Sequence, residues 1–133
     1  MEDVAPRAAP PSRAAWLAVA AYALVVVCLS SRPGGGPARW WFLRYDKVNH
    51  AIEYFILGAL AVRALRASGL ATGRACLAAI ALTVAFGVSD EWHQSFVPGR
   101  SGNDLGDLAA DAAGAGAGSA AFAAFALRRR SIA

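Results

Sequence analysis

The sequence predicts an all-α protein, a polytopic helical bundle with about four transmembrane helices and both termini cytoplasmic. Three observations lead there. The 133 residues are 57% hydrophobic and only 17% charged, more apolar and less charged than a soluble domain. The apolar residues fall into four blocks rather than being spread over amphipathic faces. The thirteen Lys and Arg residues sit in short clusters beside those blocks. They form no stripe with interleaved aromatics, so the basic pI of about 9.7 does not indicate a nucleic-acid partner. A soluble four-helix bundle would need a polar face on every helix, which the first and fourth blocks lack.

Residues Met1 to Arg13, rich in Pro, Ala and charge, read as a disordered tail. The first block, Ala14 to about Ser30, has no charge and is just long enough to span a hydrocarbon core. A signal peptide is the competing reading, but no small-x-small cleavage site follows, and Arg32-Pro33-Gly34-Gly35 reads as a turn. The loop from Pro33 to Tyr45 ends in Arg39-Trp40-Trp41-Phe42-Leu43-Arg44-Tyr45, a mixture suited to the headgroup layer. The second block runs from Asp46 to about Arg66 and the third from Arg74 to about Trp92, joined by a short helical hairpin. The fourth, Asp107 to Leu127, is rich in Ala and Gly. The expected division is therefore a tail over residues 1–13, a transmembrane domain over 14–127 and a basic tail over 128–133.

With both termini inside, the inner side holds Arg7, Arg13, Arg63, Arg66, Arg74 and Arg128 to Arg130. The outer side holds Arg32, Arg39, Arg44, Lys47 and Arg100, so eight cations face five and favour this orientation. Cys28 and Cys76 lie within apolar blocks and read as small buried hydrophobes rather than a disulfide pair.

Ionisable residues are costly within a membrane helix and call for an explanation. Asp46, His50 and Tyr54 are spaced by four and line one helical face, with Glu53 beside it. Asp90, Glu91, His93 and Gln94 crowd the end of the third block. There the helix dipole disfavours negative charge, so a partner must compensate: Lys47, Arg100, His50, His93 or a bound cation. Asp107 and Asp111 are four apart, and Gly114 and Gly118 continue their stripe. Two readings stand for this cluster. It is a structural ion-pair network, with Arg100 paired to Asp90 or Asp107. Alternatively it is a pocket for a charged ligand or for acid–base chemistry, in which Asp90, Glu91 and His50 are the catalytic candidates. Lys47, Arg100, Asp46, Glu53, Tyr54, Gln94, Asp107 and Asp111 are then the binding candidates. Acids and histidines from three helices also suit a divalent metal, although no stretch has a recognised ligand spacing. His93 alone reads as an interfacial residue. Gly114, Gly116 and Gly118 read as a small-residue packing face, within the bundle or against a second copy, and Gly58 and Gly87 read likewise. Pro98-Gly99 reads as a turn that holds Arg100 above the pocket.

In sequence order these residues resemble the VanZ-like family of bacterial membrane proteins. The resemblance rests on Asp46-Lys47-x-x-His50-x-x-x-Tyr54 with Leu57-Gly58, on Asp90-Glu91-x-x-Gln94, and on Pro98-Gly99-Arg100. It closes with Asp107-x-x-x-Asp111-x-x-Gly114-x-x-x-Gly118. The chain departs from the family at Asp111, where Asn is common. It also has a longer segment between Arg100 and Asp107, so that Asp104 competes with Asp107 for the acidic role. The resemblance implies the inner (cytoplasmic) membrane of a bacterium and a part in cell-envelope biology, the family taking its name from a protein of glycopeptide (teicoplanin) resistance. An anionic envelope precursor or lipid is the implied ligand, and no settled reaction comes with it. A transporter is the weakest reading, because the inner halves of the helices carry almost nothing polar.

Overall fold

The computed structural model describes residues 11–34 and 45–130. Among them are four helices: α1 (Pro11–Ser30), α2 (Asp46–Ala67), α3 (Thr72–Gln94) and α4 (Leu105–Arg130). Each is long and apolar enough to cross a membrane, with mean hydropathy from 1.2 to 1.9. The protein is thus a multi-pass helical bundle, as its apolar blocks indicate. The expected headgroup segment Arg39 to Arg44, most of the N-terminal tail and the last three residues lie outside the described residues.

The helices run alternately up and down. Ser30 at the end of α1 meets Asp90 near the end of α3, and Trp16 near the start of α1 donates to Ser68 after α2, at 3.0 Å. Helix α2 is the hub, packed against all three others. It is the most buried span, at 44%, against 11% for α1. The central helix shares the lowest hydropathy, 1.2, because Asp46, Lys47, His50 and Glu53 crowd its first half and Arg63 and Arg66 its last turns; peripheral α1, the least buried, has the highest, 1.9. Leu17, Leu24, Val25, Ile52, Phe55, Ile56, Leu77, Leu82 and Phe125 are exposed and form the hydrocarbon-facing surface.

Close approach of α2 and α4 sets the register of the site. A Cβ on Gly58 would lie 2.6 Å from the Ala115 carbonyl oxygen. Those on Gly114 and Gly118 would collide with the Ala51 and Phe55 carbonyls, one turn apart. Three glycines therefore let two parallel backbones touch, as small-residue seams do in membranes. Gly116 departs from the expected packing role, whereas Gly87 does pack closely, against side chains of α2 and α4 rather than backbone. Gly116 has nothing within 4 Å of its would-be Cβ, because it points away from α2, while Gly87 faces the polar side chains described below.

Helix boundaries shift slightly from those expected. α1 starts at Pro11, whose fixed φ suits a first turn, so residues 11–13 are helical. α2 ends in a Schellman turn: Gly69, at φ +97°, donates to the Arg66 carbonyl and Leu70 to that of Leu65. α4 begins at Leu105, two residues before Asp107, because the Asp104 carboxylate accepts from the Gly106 N–H at 2.6 Å and caps the helix. Interfacial aromatics flank the bundle. Trp92 and Phe96 are exposed and stack edge to face at 5.1 Å beside the acidic end, and Trp16 marks the other.

Candidate functional site

All seven Asp and Glu residues beyond Glu2 and Asp3 gather at one end of the bundle: Asp46, Glu53, Asp90, Glu91, Asp104, Asp107 and Asp111. Four of them, Asp90, Glu91, Asp107 and Asp111, are buried. The α2–α4 seam explains how they meet. Gly114 against Ala51 fixes the helix register so that Asp111, one turn earlier on α4, faces His50 of α2.

The centre is a histidine–carboxylate pair. His50 Nδ1 lies 2.9 Å from Asp111 Oδ1, both side chains being nearly inaccessible. A carboxylate can only accept there, so the ring carries its proton on Nδ1 and turns Nε2 towards the mouth. His50 Nε2 stands 4.0 Å from both Asp46 Oδ1 and Glu91 Oε1. Asp46, His50 and Asp107 bring one donor atom each within 4.8 Å of one another and are the residues that could hold a metal. The Tyr54 ring lies parallel to that of His50, at 6.4 Å, and leans on Phe86, so the spacing of four along α2 does build one face. The Tyr54 hydroxyl and Asp111 Oδ2 are buried and have no hydrogen-bond partner among the described residues.

Asp90 sits deeper. Its Oδ2 accepts from Gln94 Nε2 at 3.0 Å and from Ser30 Oγ at 2.7 Å. The Ser30 hydroxyl has one proton and also reaches the Val26 carbonyl, at 2.8 Å, so it is shared between the two acceptors. Asp90 Oδ1, like Glu91 Oε1, is buried and without a hydrogen bond among the described residues. Glu53 is half-buried on α2, within electrostatic range of His50 and Asp90.

The cations occupy the rim. Lys47 Nζ reaches Asp107 at 3.0 Å and Asp104 at 3.2 Å. Arg100 pairs with Asp46 at 3.6 Å, not with Asp90 or Asp107 as the charge pattern suggests. The reason is where its turn is pinned: the Gly34 N–H donates to the Pro98 carbonyl at 2.9 Å, and Gly99 adopts φ +75°. Asp90 is thus stabilised by neutral donors, and neither rim cation reaches it. Glu91 Oε2 accepts the Asp104 N–H at 2.8 Å, which ties the loop before α4 onto α3. Asp104, outside the spans, is held below the usual carboxylate range, first by the Gly106 N–H and then by Lys47. Of the two acids competing on this segment, Asp107 is buried beside His50 and Asp104 stays at the rim. The His93 ring meets Ser31 Oγ at 3.0 Å, away from the centre.

Sequence reasoning passed over two contributors. Ser30 is an ordinary hydroxyl at the end of an apolar block, and nothing local marks it as a partner of Asp90. Gly87 makes room for the site: a Cβ there would lie 2.7 Å from Asp111 Oδ2 and 3.3 Å from the Tyr54 ring. Gly87 ends a row of small residues spaced by four, Ala75, Ala79 and Thr83, just before Asp90 and Glu91, and that row was the available signal.

The profile of the VanZ/LLP1 family matches residues 12–126, nearly the whole described chain. The chain belongs to that family. No curated protein and no solved structure matches it. The matched stretch contains the first three spans, all but the last two residues of the fourth, and every acid of the cluster, so the family likeness and the acidic end occupy the same residues.

Proposed function

We propose that this VanZ-like protein binds an anionic, lipid-linked precursor of the bacterial cell envelope at the acidic end of its bundle. That end faces the outer side of the cytoplasmic membrane. His50, oriented by Asp111, is the proton-transfer group, and Asp90 and Glu91 set its field. Lys47 and Arg100 at the rim receive the ligand's negative group.

The observation that carries this reading is the buried His50–Asp111 pair at 2.9 Å, with Nε2 turned to the mouth. A structural network would point its histidine at a partner and satisfy its acids. Here Asp90 Oδ1, Glu91 Oε1 and Asp111 Oδ2 are buried without hydrogen bonds among the described residues. Such groups destabilise a fold and are kept where a site uses them. The excess of cations at the other end supports the orientation.

A non-enzymatic scaffold is the second reading, favoured by the rim contacts: Lys47 bridges Asp104 and Asp107, and Glu91 holds the Asp104 backbone. The two readings part on one experiment. Purified protein is titrated with vesicles containing a polyisoprenyl phosphate, against phosphatidylcholine alone, for wild type and His50→Ala. In cells, teicoplanin susceptibility is read beside protein abundance. Binding and phenotype lost at unchanged abundance support the pocket. Abundance and function falling together support the scaffold.

A further inference from the structure

Three donors from two helices converge on one small volume at the mouth, and a fourth, Glu91, stands beside His50. Asp46 and His50 come from α2, Glu91 from α3 and Asp107 from α4. Ligand atoms of Asp46, His50 and Asp107 lie within 4.8 Å of one another. Glu91 adds an independent observation. It is only 4% exposed, its Oε1 has no hydrogen-bond partner among the described residues, and that oxygen stands 4.0 Å from His50 Nε2.

That spacing is informative. At 4.0 Å, His50 Nε2 is too far from Asp46 Oδ1 and Glu91 Oε1 for a direct hydrogen bond. Two donors that each sit about 2.1 Å from a single small cation are about 3–4 Å apart, so an ion between them fits. The far side of the ring has the support that metal-binding imidazoles have: Asp111 at 2.9 Å from Nδ1, leaving Nε2 as the ligand atom. Charge argues the same way. Seven acids gather here, and the cations paired with them among the described residues, Lys47 and Arg100, meet Asp46, Asp104 and Asp107 and not Glu91. An anionic headgroup entering such a field is repelled unless another positive charge lies between.

We propose that Asp46, His50, Glu91 and Asp107 bind a divalent metal cation, zinc or manganese, through one imidazole nitrogen and carboxylate oxygens. One imidazole with several carboxylates suits those ions better than calcium, which prefers oxygen alone, or copper, which prefers more nitrogen. The inference takes its location from the pocket reading above; in the metal-loaded protein the His50 ring is a ligand rather than a proton carrier, and the metal shares with Lys47 and Arg100 the holding of the ligand's anion. Asp111 is a positioning residue that fixes the ring. Asp107 and Asp46 keep their rim cations on one side and face the ion on the other.

The test uses the whole chain in detergent, stripped with a chelator and dialysed against micromolar Zn²⁺ or Mn²⁺, with metal per chain read by elemental analysis. Near-stoichiometric metal is expected in wild type. His50→Ala and Asp46→Asn should weaken retention by tenfold or more, and Asp111→Asn by about 10–100-fold. Lys47→Met, which removes a competing charge, should retain metal at least as well as wild type. Thermal melting accompanies each sample; if His50→Ala does not fold, Glu91→Gln, which keeps an acceptor for the Asp104 N–H, replaces it. Folded wild type that retains no metal overturns the inference, and so does equal retention in the site variants. Vesicle binding is measured on the same samples. Polyisoprenyl phosphate bound equally with and without metal sinks the cation as the group that holds the anion and leaves the pocket. Metal bound without any lipid preference sinks the lipid ligand and leaves the cation.

Discussion

The two ends of this bundle carry opposite charges and treat them differently. At the end formed by the start of α1 and α3 and the close of α2 and α4 stand Arg13, Arg63, Arg66, Arg74 and Arg128, with no acid among the described residues. All but Arg66 are exposed, and Arg66 caps the Leu70 carbonyl at 3.0 Å. Long, snorkelling side chains at a membrane face meet water and headgroup phosphate, so a surplus of cations there costs little. The other end gathers seven acids, four of them buried, around one histidine pair. Short acidic side chains beneath the surface cannot reach solvent, and must find compensation where they stand. The lesson is that charge at a membrane protein's end is ordinary until it is buried, and burial without partners marks the end to look at.

The largest effect is expected at the seam that serves both ends. Gly118→Leu drives a side chain into the Phe55 carbonyl and should separate α2 from α4. Overpacking of this kind costs about 1–3 kcal/mol where neighbours can move, and here the neighbour is backbone. Monodisperse protein on size exclusion should be nearly lost. Normal yield would show that the helices do not depend on that approach.

Gly87→Val should act on the acidic end alone. Its Cβ would press on Asp111 Oδ2 and the Tyr54 ring, moving the carboxylate that orients His50. A stability loss of about 1–3 kcal/mol is expected, with ligand and metal binding lost beyond it. Binding that survived the substitution would detach Asp111 from the site. The smallest effect belongs to the basic end. Arg63→Gln combined with Arg74→Gln should change unfolding free energy by about 0.5 kcal/mol or less, since both side chains are exposed. Its consequence is topological: a fraction of chains should insert inverted, read by protease accessibility of a C-terminal tag. A large stability loss would contradict the claim that those charges are solvated.

Much of this contrast was written in the sequence. Block lengths and charge-free runs specified the helices, because a hydrocarbon solvent demands both. Spacing of four placed Asp46, His50 and Tyr54 on one face, since that is a property of a single helix. Pairings between helices were not legible. Whether Arg100 meets Asp46 or Asp90 depends on how a loop is pinned by Gly34 to Pro98, and no local pattern encodes that contact. Ser30 was invisible for the same reason, and Gly87 was legible as a packing residue but not as part of the site. Each takes its role from a residue on another helix, Asp90 and Asp111 respectively. α4 starts two residues ahead of the expected Asp107 because the Asp104 carboxylate caps the helix at the Gly106 N–H, a role that its competition with Asp107 for the acidic position does not reveal.

The most direct test of the contrast between the ends is Glu91→Gln, with melting temperature and ligand binding measured on one preparation. The amide keeps an oxygen for the Asp104 N–H and removes a buried charge whose Oε1 has no hydrogen bond among the described residues. If the acidic end is held for a ligand, melting should stay level or rise while binding of Zn²⁺ or of polyisoprenyl phosphate falls at least about tenfold. A fall in melting temperature with binding preserved would contradict the account and make the cluster a brace for the bundle.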